Sequence, residues 1–402
     1  MIIKTNYLSY TNKKELVFQK NIFLEIQNNK IASIKERYNG DHVDYSNMLA
    51  VPGFIDTHTH IPQINIMGKQ KPNLLEWLNI NVFPEEGKFK DPEYADNVSK
   101  DFFDQAIKNG TTCLVAYSST HREACNIAFK NANNAGIRAF IGKTMMDSNS
   151  PSKLVETTQK SLEDSVYLYE QWHNKTPLLN YIFSPRFAIT CSIDLMKEVG
   201  TFIHKNNAYL QTHLSESLNE IATIKSIYPK YKSYTDIYYQ CGLMSSKSIF
   251  GHCVHLSDDE IRLLKDTKSK IAYCADSNFY LKSGKFDLEK ITEFEVPFAF
   301  ASDIGAGTSF YMPYHAKISS YRQDSIYIEP QKAFYLMTLA GAEVLSLEDK
   351  IGSIETGKEA DMVFYNYQNF QGLSSDDIVS KLIYTDQSNQ IEQVMIAGKE
   401  LL

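Results

Sequence analysis

The sequence predicts an α/β fold: a (β/α)8 TIM-like barrel with a small β domain formed from both termini. Between about residues 54 and 346, short apolar β-rich runs alternate with longer segments of helical period, the pattern of a parallel sheet covered by helices. Eight such runs occur, which is the number of strands in this kind of barrel. A doubly wound sheet would show a similar alternation, so it stays open as an alternative.

The segments between the candidate strands fit helices. After the fifth strand, Ser217 and Glu220 form a capping-box signature for a helix start. Ile221, Ile224 and Tyr228 then mark the buried face of that helix. The eight candidate strands begin at Phe54, Thr111, Ile137, Leu178, Ala208, Ser248, Lys270 and Val296.

The two ends of the chain differ from its middle. Residues 1–50 and 352–402 contain short strand-like runs and turns, and we expect them to form one composite β-sandwich-like domain. Residues 51–351 are expected to form a metal-dependent barrel, the catalytic domain. Within it, the irregular segment 61–91 follows the first strand and is a candidate lid or wall over a site.

Composition favours a small-molecule partner. The net charge of −7 and the scattered lysines and arginines provide no electrostatic footprint for nucleic acid. Six cysteines occur singly without a CxxC pair, and the first residues lack a secretory pattern, so we expect free thiols in a cytoplasmic protein. No apolar run approaches the roughly 18–20 residues needed to span a membrane.

Histidines and one aspartate end several of the candidate strands. His58 and His60 are two residues apart, so they share a face of the first strand. As an isolated pair they would be interpreted as structural histidines. However, His213, His252 and Asp303 end strands five, six and eight, and barrels of this class build their sites at these carboxyl ends. Neutral imidazoles with a carboxylate suit zinc or another divalent transition ion.

A metal-activated water also needs groups that move protons. Glu216 lies three residues after His213 and can reach over the metal as a proton shuttle; the alternative is a favourable interaction with the helix dipole. Asp303 can both bind the metal and hold the proton of the water. Strand four offers no terminal lysine to bridge two metals, so one metal is expected, and Lys143 is interpreted as a structural or supporting group.

Three further residues could hold a flat polar heterocycle. Arg186 and Phe187 at the end of strand four offer a guanidinium and a ring face. Gln63, three residues after His60, adds an amide that can donate and accept. For each residue alone, a loop hydrogen bond is the alternative. The run 303–309 lacks the context of a phosphate loop and is interpreted as a turn.

The motifs together resemble the amidohydrolase superfamily across essentially the whole chain. The motifs shared with the superfamily are "PGFIDTHTH", "THLSE", "GHCVHLS", "ASDIGAG" and "LEDKIGSIETGKEADMVFYN". Within it, four longer stretches resemble the guanine deaminases: "LLEWLNINVFPEE", "SPRFAITCS", "HLSESLNEIATIKSIYPKYKSYTDIY" and "SDIGAGTSFYM".

This resemblance implies hydrolysis of guanine to xanthine and ammonia, with hydroxide supplied by zinc attacking C2 and Glu216 as proton shuttle. It implies one zinc per subunit and a homodimer. The implied zinc ligands are His58, His60, His213, His252 and Asp303; the catalytic groups Glu216, Asp303 and His252; and the purine contacts Gln63, Arg186 and Phe187, with His213 and Glu216 near the ring.

One stretch departs from the family pattern. The chain has "YCADSNFYL" at 273–281 where the family usually has a His-Cys-Pro run, so Tyr273, Ala275 and Asp276 alter the loop beside the site. The altered loop leaves the substrate range open.

Two alternatives to guanine deamination stay open. One is an amidohydrolase acting on another heterocycle, such as 8-oxoguanine, adenosylhomocysteine or a triazine. The other is a non-enzymatic assembly protein related to this superfamily.

Overall fold

The computed structural model describes residues 1–324 and 326–402. The described residues form sixteen strands and fifteen α-helices. The strands are β1 (Ile2–Tyr10), β2 (Leu16–Gln27), β3 (Lys30–Lys35), β4 (Val43–Pro52), β5 (Phe54–His60), β6 (Thr111–Tyr117), β7 (Arg138–Gly142), β8 (Thr144–Met145), β9 (Leu179–Pro185), β10 (Tyr209–Leu214), β11 (Ser248–His252), β12 (Lys270–Tyr273), β13 (Phe298–Phe300), β14 (Met362–Asn366), β15 (Ile391–Ile396) and β16 (Lys399–Glu400).

The helices lie between the barrel strands and after them. They are α1 (Leu74–Trp77), α2 (Phe83–Glu86), α3 (Pro92–Lys108), α4 (Arg122–Ala135), α5 (Thr158–Trp172), α6 (Ile193–Asn206), α7 (Leu218–Ile227), α8 (Tyr234–Gln240), α9 (Asp258–Asp266), α10 (Ala275–Tyr280), α11 (Leu288–Glu293), α12 (Met312–Tyr321), α13 (Pro330–Leu336), α14 (Leu339–Val344) and α15 (Ser375–Tyr384). Among these described helices, none has the length and apolar character needed to cross a membrane.

The predicted barrel is confirmed. Parallel strands follow one another in the order β13-β12-β11-β10-β9-β7-β6-β5, and the short β8 pairs with β9. Because both faces of these strands are covered, nearly every residue in them is buried, as in other parallel sheets. All eight candidate strands of the sequence therefore belong to one sheet.

Hydrogen bonds join the first barrel strand to the last. The Asp303 N–H donates to the His58 carbonyl over 2.9 Å, and the Thr57 hydroxyl donates to the Phe300 carbonyl over 3.0 Å. Asp56 accepts the Ser302 N–H at 2.9 Å. These contacts join β5, which carries His58 and His60, to the residues after β13, which include Asp303.

Both ends of the chain contribute to one separate sheet. Its seven strands run in the order β16-β15-β14-β4-β1-β2-β3, and only the β1–β4 pair is parallel. Its own core includes the buried side chains of Leu24, Met362 and Phe364. Since β4 leads directly into β5, this sheet is covalently continuous with the first barrel strand.

The segment 61–91 forms a chain of short helical turns. A 3-10 turn at Ile61–Ile66 leads to α1, a π-helical turn at Leu78–Val82 and then α2. Residues 74–90 are helical without a break, but the π-helical turn divides them into short α-helical pieces. The segment contributes Leu74, Trp77 and Leu78 to one wall of a cleft at the carboxyl end of the barrel.

The helix after the fifth strand begins as predicted. Ser217 accepts the N–H of Glu220, and the Glu220 carboxylate accepts the N–H of Ser217, so both halves of the capping box are present. Of the predicted buried face, Ile224 is buried, whereas Ile221 and Tyr228 are half-buried. The capping box fixes the path of the chain directly after Glu216.

Candidate active site

The five residues expected to bind a metal meet at the carboxyl end of the barrel. His58 Nε2 and His60 Nε2 lie 3.5 and 3.1 Å from Asp303 Oδ1. His213 Nε2 is 3.3 Å from His60 Nε2, and His252 Nε2 is 3.9 Å from Asp303 Oδ2. All five side chains are buried. Residues that are up to 245 positions apart in the chain thus share one small volume.

Two of the imidazoles are oriented through their other ring nitrogen. His213 Nδ1 lies 2.8 Å from the Arg186 carbonyl, and His252 Nδ1 lies 2.9 Å from Asn278 Oδ1. Because both partner atoms can only accept, each Nδ1 carries the proton and each Nε2 keeps its lone pair. Such outer hydrogen bonds fix the tautomer of metal-binding histidines.

The burial of this cluster fits a metal site. His58 Nδ1, His58 Nε2 and His60 Nδ1 are buried without a hydrogen-bond partner among the described residues, which is rare for buried polar atoms. Burial lowers the pKa of His58, lowers that of His60 to about 3 and lowers that of His213 well below its ordinary value. The neutral imidazoles of His58, His60 and His213 with the Asp303 carboxylate are a donor set that suits zinc. The carboxylates of Glu216 and Asp303 raise the pKa of His252 against the effect of its burial.

Glu216 lies beside this cluster. Its Oε2 is 3.5 Å from His252 Nε2, and its Oε1 accepts the Ser283 hydroxyl at 2.9 Å. The N–H of Glu216 donates to Glu220 over 2.8 Å, so the capping box holds the backbone of Glu216 as well. Burial raises the pKa of Glu216 to about 7, where the carboxyl group can both take up and release a proton near neutral pH.

The residues expected to contact a heterocycle line the same cleft. Gln63, Arg186 and Phe187 line one cleft with the proposed metal site. Its other polar lining residues are His60, His213, Glu216, His252 and Asp303, and its apolar lining residues are Leu74, Trp77, Leu78 and Leu281. Apolar walls with a few converging polar groups are typical of small-molecule sites.

Comparison with known proteins identifies the family. The amidohydrolase family profile matches residues 49–401. This chain belongs to the amidohydrolase family. It is 39% identical to the guanine deaminase of Escherichia coli K12 over 364 residues, covering 87% of this chain and 82% of that one. It is 35% identical to the guanine deaminase of Dictyostelium discoideum over 382 residues, covering 89% and 84%.

A solved structure extends this similarity to the fold. The guanine deaminase from C. acetobutylicum, with guanine bound in its active site, superposes with a TM-score of 0.95 at 28% identity, covering 100% of this chain and 99% of that one. The amidohydrolase family is metal-dependent, which agrees with the donor set of this site.

Several supporting residues of this amidohydrolase site were missed from the sequence. Ser277 donates its hydroxyl to Asp303 Oδ2 at 2.5 Å, and Asn278 and Ser283 hold His252 and Glu216. All three lie in the stretch 273–283, for which the sequence predicted an altered loop but no contacts to the site. The run "DSN" of small polar residues directly after strand seven was the available signal.

Glu86 was also missed, although segment 61–91 was singled out. Its carboxylate accepts Arg186 Nη1 at 2.8 and 2.7 Å and Gln63 Nε2 at 3.2 Å. Glu86 and Arg186 are 100 residues apart, and no local pattern pairs them.

The departing residues pack behind the cluster. The Tyr273 ring stacks on Phe286 with centroids 4.2 Å apart, and Asp276 accepts the N–H and the hydroxyl of Thr308, each at 2.7 Å. Asp276 thereby fixes the turn that follows Asp303. Cys274 lies within ligand reach of His58 and His252, and burial raises the pKa of its thiol well above the ordinary value.

Lys143 lies apart from the cleft. It is fully buried and its Nζ donates to Glu156 Oε2 at 2.5 Å and to the Thr144 carbonyl at 3.3 Å. This buried ion pair ties β7 to the loop before α5. Its contacts support the structural interpretation of this lysine.

Proposed function

We propose that this chain is a guanine deaminase, which hydrolyses guanine and water to xanthine and ammonia. The observation that carries the proposal is the cleft itself, where Arg186, Gln63 and Glu216 converge on the same space as the histidine–aspartate cluster. The similarity to guanine deaminases over more than four fifths of each chain supports this substrate.

One zinc ion per subunit would be held by five residues. Its proposed ligands are His58, His60, His213, His252 and Asp303. When bound, the ion supplies Lewis acidity and lowers the pKa of water to about 7, so that hydroxide is available near neutral pH. The neutral imidazoles and the absence of hydrogen-bond partners on His58 among the described residues support this assignment.

Glu216, Asp303 and His252 are the proposed catalytic residues. Asp303 Oδ2, held by Ser277, accepts a proton from the attacking water. Glu216 delivers a proton to the ring nitrogen beside C2 and then assists departure of the amino group as ammonia. His252 Nε2 lies 3.5 Å from Glu216 Oε2, so an ion held by this imidazole would be close to the Glu216 carboxyl group. One water adds and one ammonia leaves, so the ring keeps its oxidation state.

Guanine would be held by its ring face and its polar edge. Phe187 offers an apolar surface and Arg186 donates to O6, while Gln63 offers an amide oxygen. His213 and Glu216 flank the reacting carbon. The side chains of Arg186 and Gln63 are buried together with Glu86. This burial restricts their movement and so supports their role in contacting the polar edge of guanine.

We further propose the division predicted from the sequence: a composite β domain from 1–50 and 352–402 and a catalytic barrel from 51–351. The single sheet built from both termini supports it. A homodimer is proposed on the resemblance to the family. A cytoplasmic location is proposed on the six cysteines, which are all free and buried.

The test is ammonia release and the absorbance change when zinc-loaded protein is mixed with guanine, with adenine, cytosine and 8-oxoguanine in parallel. Guanine-selective formation of xanthine is expected. If only another amine is hydrolysed, that amine is the substrate in place of guanine. If none of the four compounds is hydrolysed and zinc does not raise the melting temperature, a non-enzymatic protein is favoured. Arg186→Ala should lose guanine turnover far more than metal.

A further inference from the structure

Glu86 sits behind the two residues that would read the purine edge. It is 1% exposed and ends the short helix α2 in the segment that walls the cleft. Both of its carboxylate oxygens accept from Arg186 Nη1, and Oε1 also accepts from Gln63 Nε2. The ring of Phe83, from the same helix, lies 5.4 Å from the guanidinium carbon of Arg186. One four-residue turn therefore holds the Arg186 head from two sides.

The contacts with Glu86 determine which polar atoms of Gln63 and Arg186 remain for a ligand. A carboxylate can only accept, so the amide of Gln63 must turn its NH₂ group toward Glu86 and leave its oxygen free. That oxygen lies close to Gly305, where an added Cβ would come within 2.3 Å of it. The contacts of Arg186 with Glu86 use a single nitrogen, Nη1, so the other guanidinium N–H groups are left to donate.

We infer that Glu86 is a specificity-determining positioning residue. It holds the Arg186 donors in place and fixes Gln63 as an acceptor, and so selects a ring edge with a carbonyl beside an N–H. The inference rests on the proposed function. A lactam edge, as in the C6 carbonyl and N1–H of guanine, matches this pattern. An amidine edge carries an amino group beside an unprotonated ring nitrogen. Its amino group would face the Arg186 donors and its ring nitrogen would face the Gln63 oxygen, so neither pair could form a hydrogen bond.

Charge supports the same assignment. Paired with Glu86, the guanidinium of Arg186 gives a net neutral unit in a buried wall, which favours a neutral ring over an anion. Without Glu86 the Gln63 amide could rotate by half a turn, and a site built from buried polar groups discriminates strongly only when their orientation is fixed.

The experiment compares guanine with 2,6-diaminopurine, which keeps the C2 amino group but carries an amino group at C6. Hydrolysis of either at C2 releases one ammonia. In Glu86→Gln we expect kcat/KM for guanine to fall about 100-fold, mainly through KM, and the preference for guanine to shrink at least about tenfold. Glu86→Asp, which keeps the charge, should recover part of the preference and decides the question if Glu86→Gln does not fold.

Glu85→Gln is the matched control. Glu85 precedes Glu86 in α2 and is also buried, but its partners are Lys88, Tyr94 and Asn65, so the preference should stay at the wild-type value. Zinc content and melting temperature are measured for every variant. If folded, zinc-loaded Glu86→Gln keeps the wild-type preference, the inference is wrong while the proposed function stands. If wild type releases no ammonia from guanine, the proposed function fails and the inference fails with it.

Discussion

At the carboxyl end of the barrel the buried ring nitrogens of His58 have no hydrogen-bond partner among the described residues. At the amino end, by contrast, the buried guanidinium of Arg138 makes four hydrogen bonds to two carboxylates. Arg138 Nη2 donates to Glu359 at 2.7 Å and to Asp361 at 3.1 Å, and Nε donates to Asp361 at 3.2 Å. These contacts join the first residue of β7 to the stretch leading into β14, so they link the barrel to the terminal sheet.

The difference shows how one fold separates stability from function. A buried polar atom without a partner costs free energy of folding, so such atoms persist where a ligand satisfies them. A buried charge with several partners serves the structure instead. The two ends of this barrel thus follow the general division of this architecture, with chemistry at the carboxyl ends and stability at the amino ends.

The largest expected effect comes from removing a proposed metal ligand. His213→Ala should lose bound zinc and reduce guanine turnover to background, because the metal site loses one of its imidazoles. Metal analysis of the purified variant and the zinc-dependent rise in melting temperature, seen in wild type and lost in the variant, measure this. His204→Ala, which alters an exposed histidine on α6, is the control. A zinc-loaded, active His213→Ala would remove His213 from the site.

Removing only the proposed proton shuttle, Glu216, should leave the metal in place. Glu216→Gln is expected to keep zinc and melting temperature while kcat falls by about 10²–10⁴-fold, the range of general acid–base catalysis. The change is nearly isosteric, so a fall in kcat with intact metal isolates proton transfer. Retention of near-full turnover would exclude Glu216 from the mechanism.

At the opposite end, Arg138→Met should lower stability and leave the chemistry intact. Breaking a buried ion pair by removing one partner costs about 3–5 kcal/mol, measured by denaturant unfolding, while turnover per folded molecule stays near wild type. Arg138→Lys should retain part of the stability. A variant with normal stability and lost turnover would reverse the roles assigned to the two ends.

The same variant carries a pH dependence. Burial already raises the pKa of Asp361, and Arg138 opposes that rise, so removing the guanidinium raises this pKa further. When the pKa of a carboxyl group is higher in the folded than in the unfolded state, the protein is more stable at low pH. The free energy of unfolding then falls as the pH rises from the unfolded-state pKa to the folded-state pKa. The loss of stability should therefore be larger at about pH 7 than at about pH 4. Equal losses at both values would indicate that Asp361 is not left as an unpaired charge.

The smallest effect compares two capping boxes of the same kind. Ser217→Ala and Ser257→Ala should each cost about 1 kcal/mol of stability, because each serine caps a helix together with a glutamate. Only Ser217 adjoins Glu216, so only Ser217→Ala should also reduce kcat. Equal kcat values in the two variants would show that this cap does not position Glu216.

The predictable part of the molecule is the part with a local signal. The strands show as apolar runs, and His58, His60, His213, His252 and Asp303 could be grouped because ligands at the ends of parallel strands meet at one edge. The capping box at Ser217 is likewise a pattern within four residues.

The unpredicted part depends on contacts between distant segments. Glu86 joins Arg186 only after the wall segment folds over the barrel, and Asn278 meets His252 across neighbouring strands. Arg138 and Asp361 are 223 residues apart, so neither composition nor periodicity indicates their pairing. The strand order of the terminal sheet was unpredicted for the same reason, since β4 lies between β1 and β14.

The central claim is that one metal held at the carboxyl end makes this chain a guanine deaminase. Its most direct test is to titrate metal-depleted protein with zinc while measuring the initial rate of ammonia release from guanine. The rate should rise linearly and reach a plateau at about one zinc per chain, with xanthine and ammonia formed in equal amounts. A rate independent of zinc, or a plateau at two ions per chain, would contradict the account.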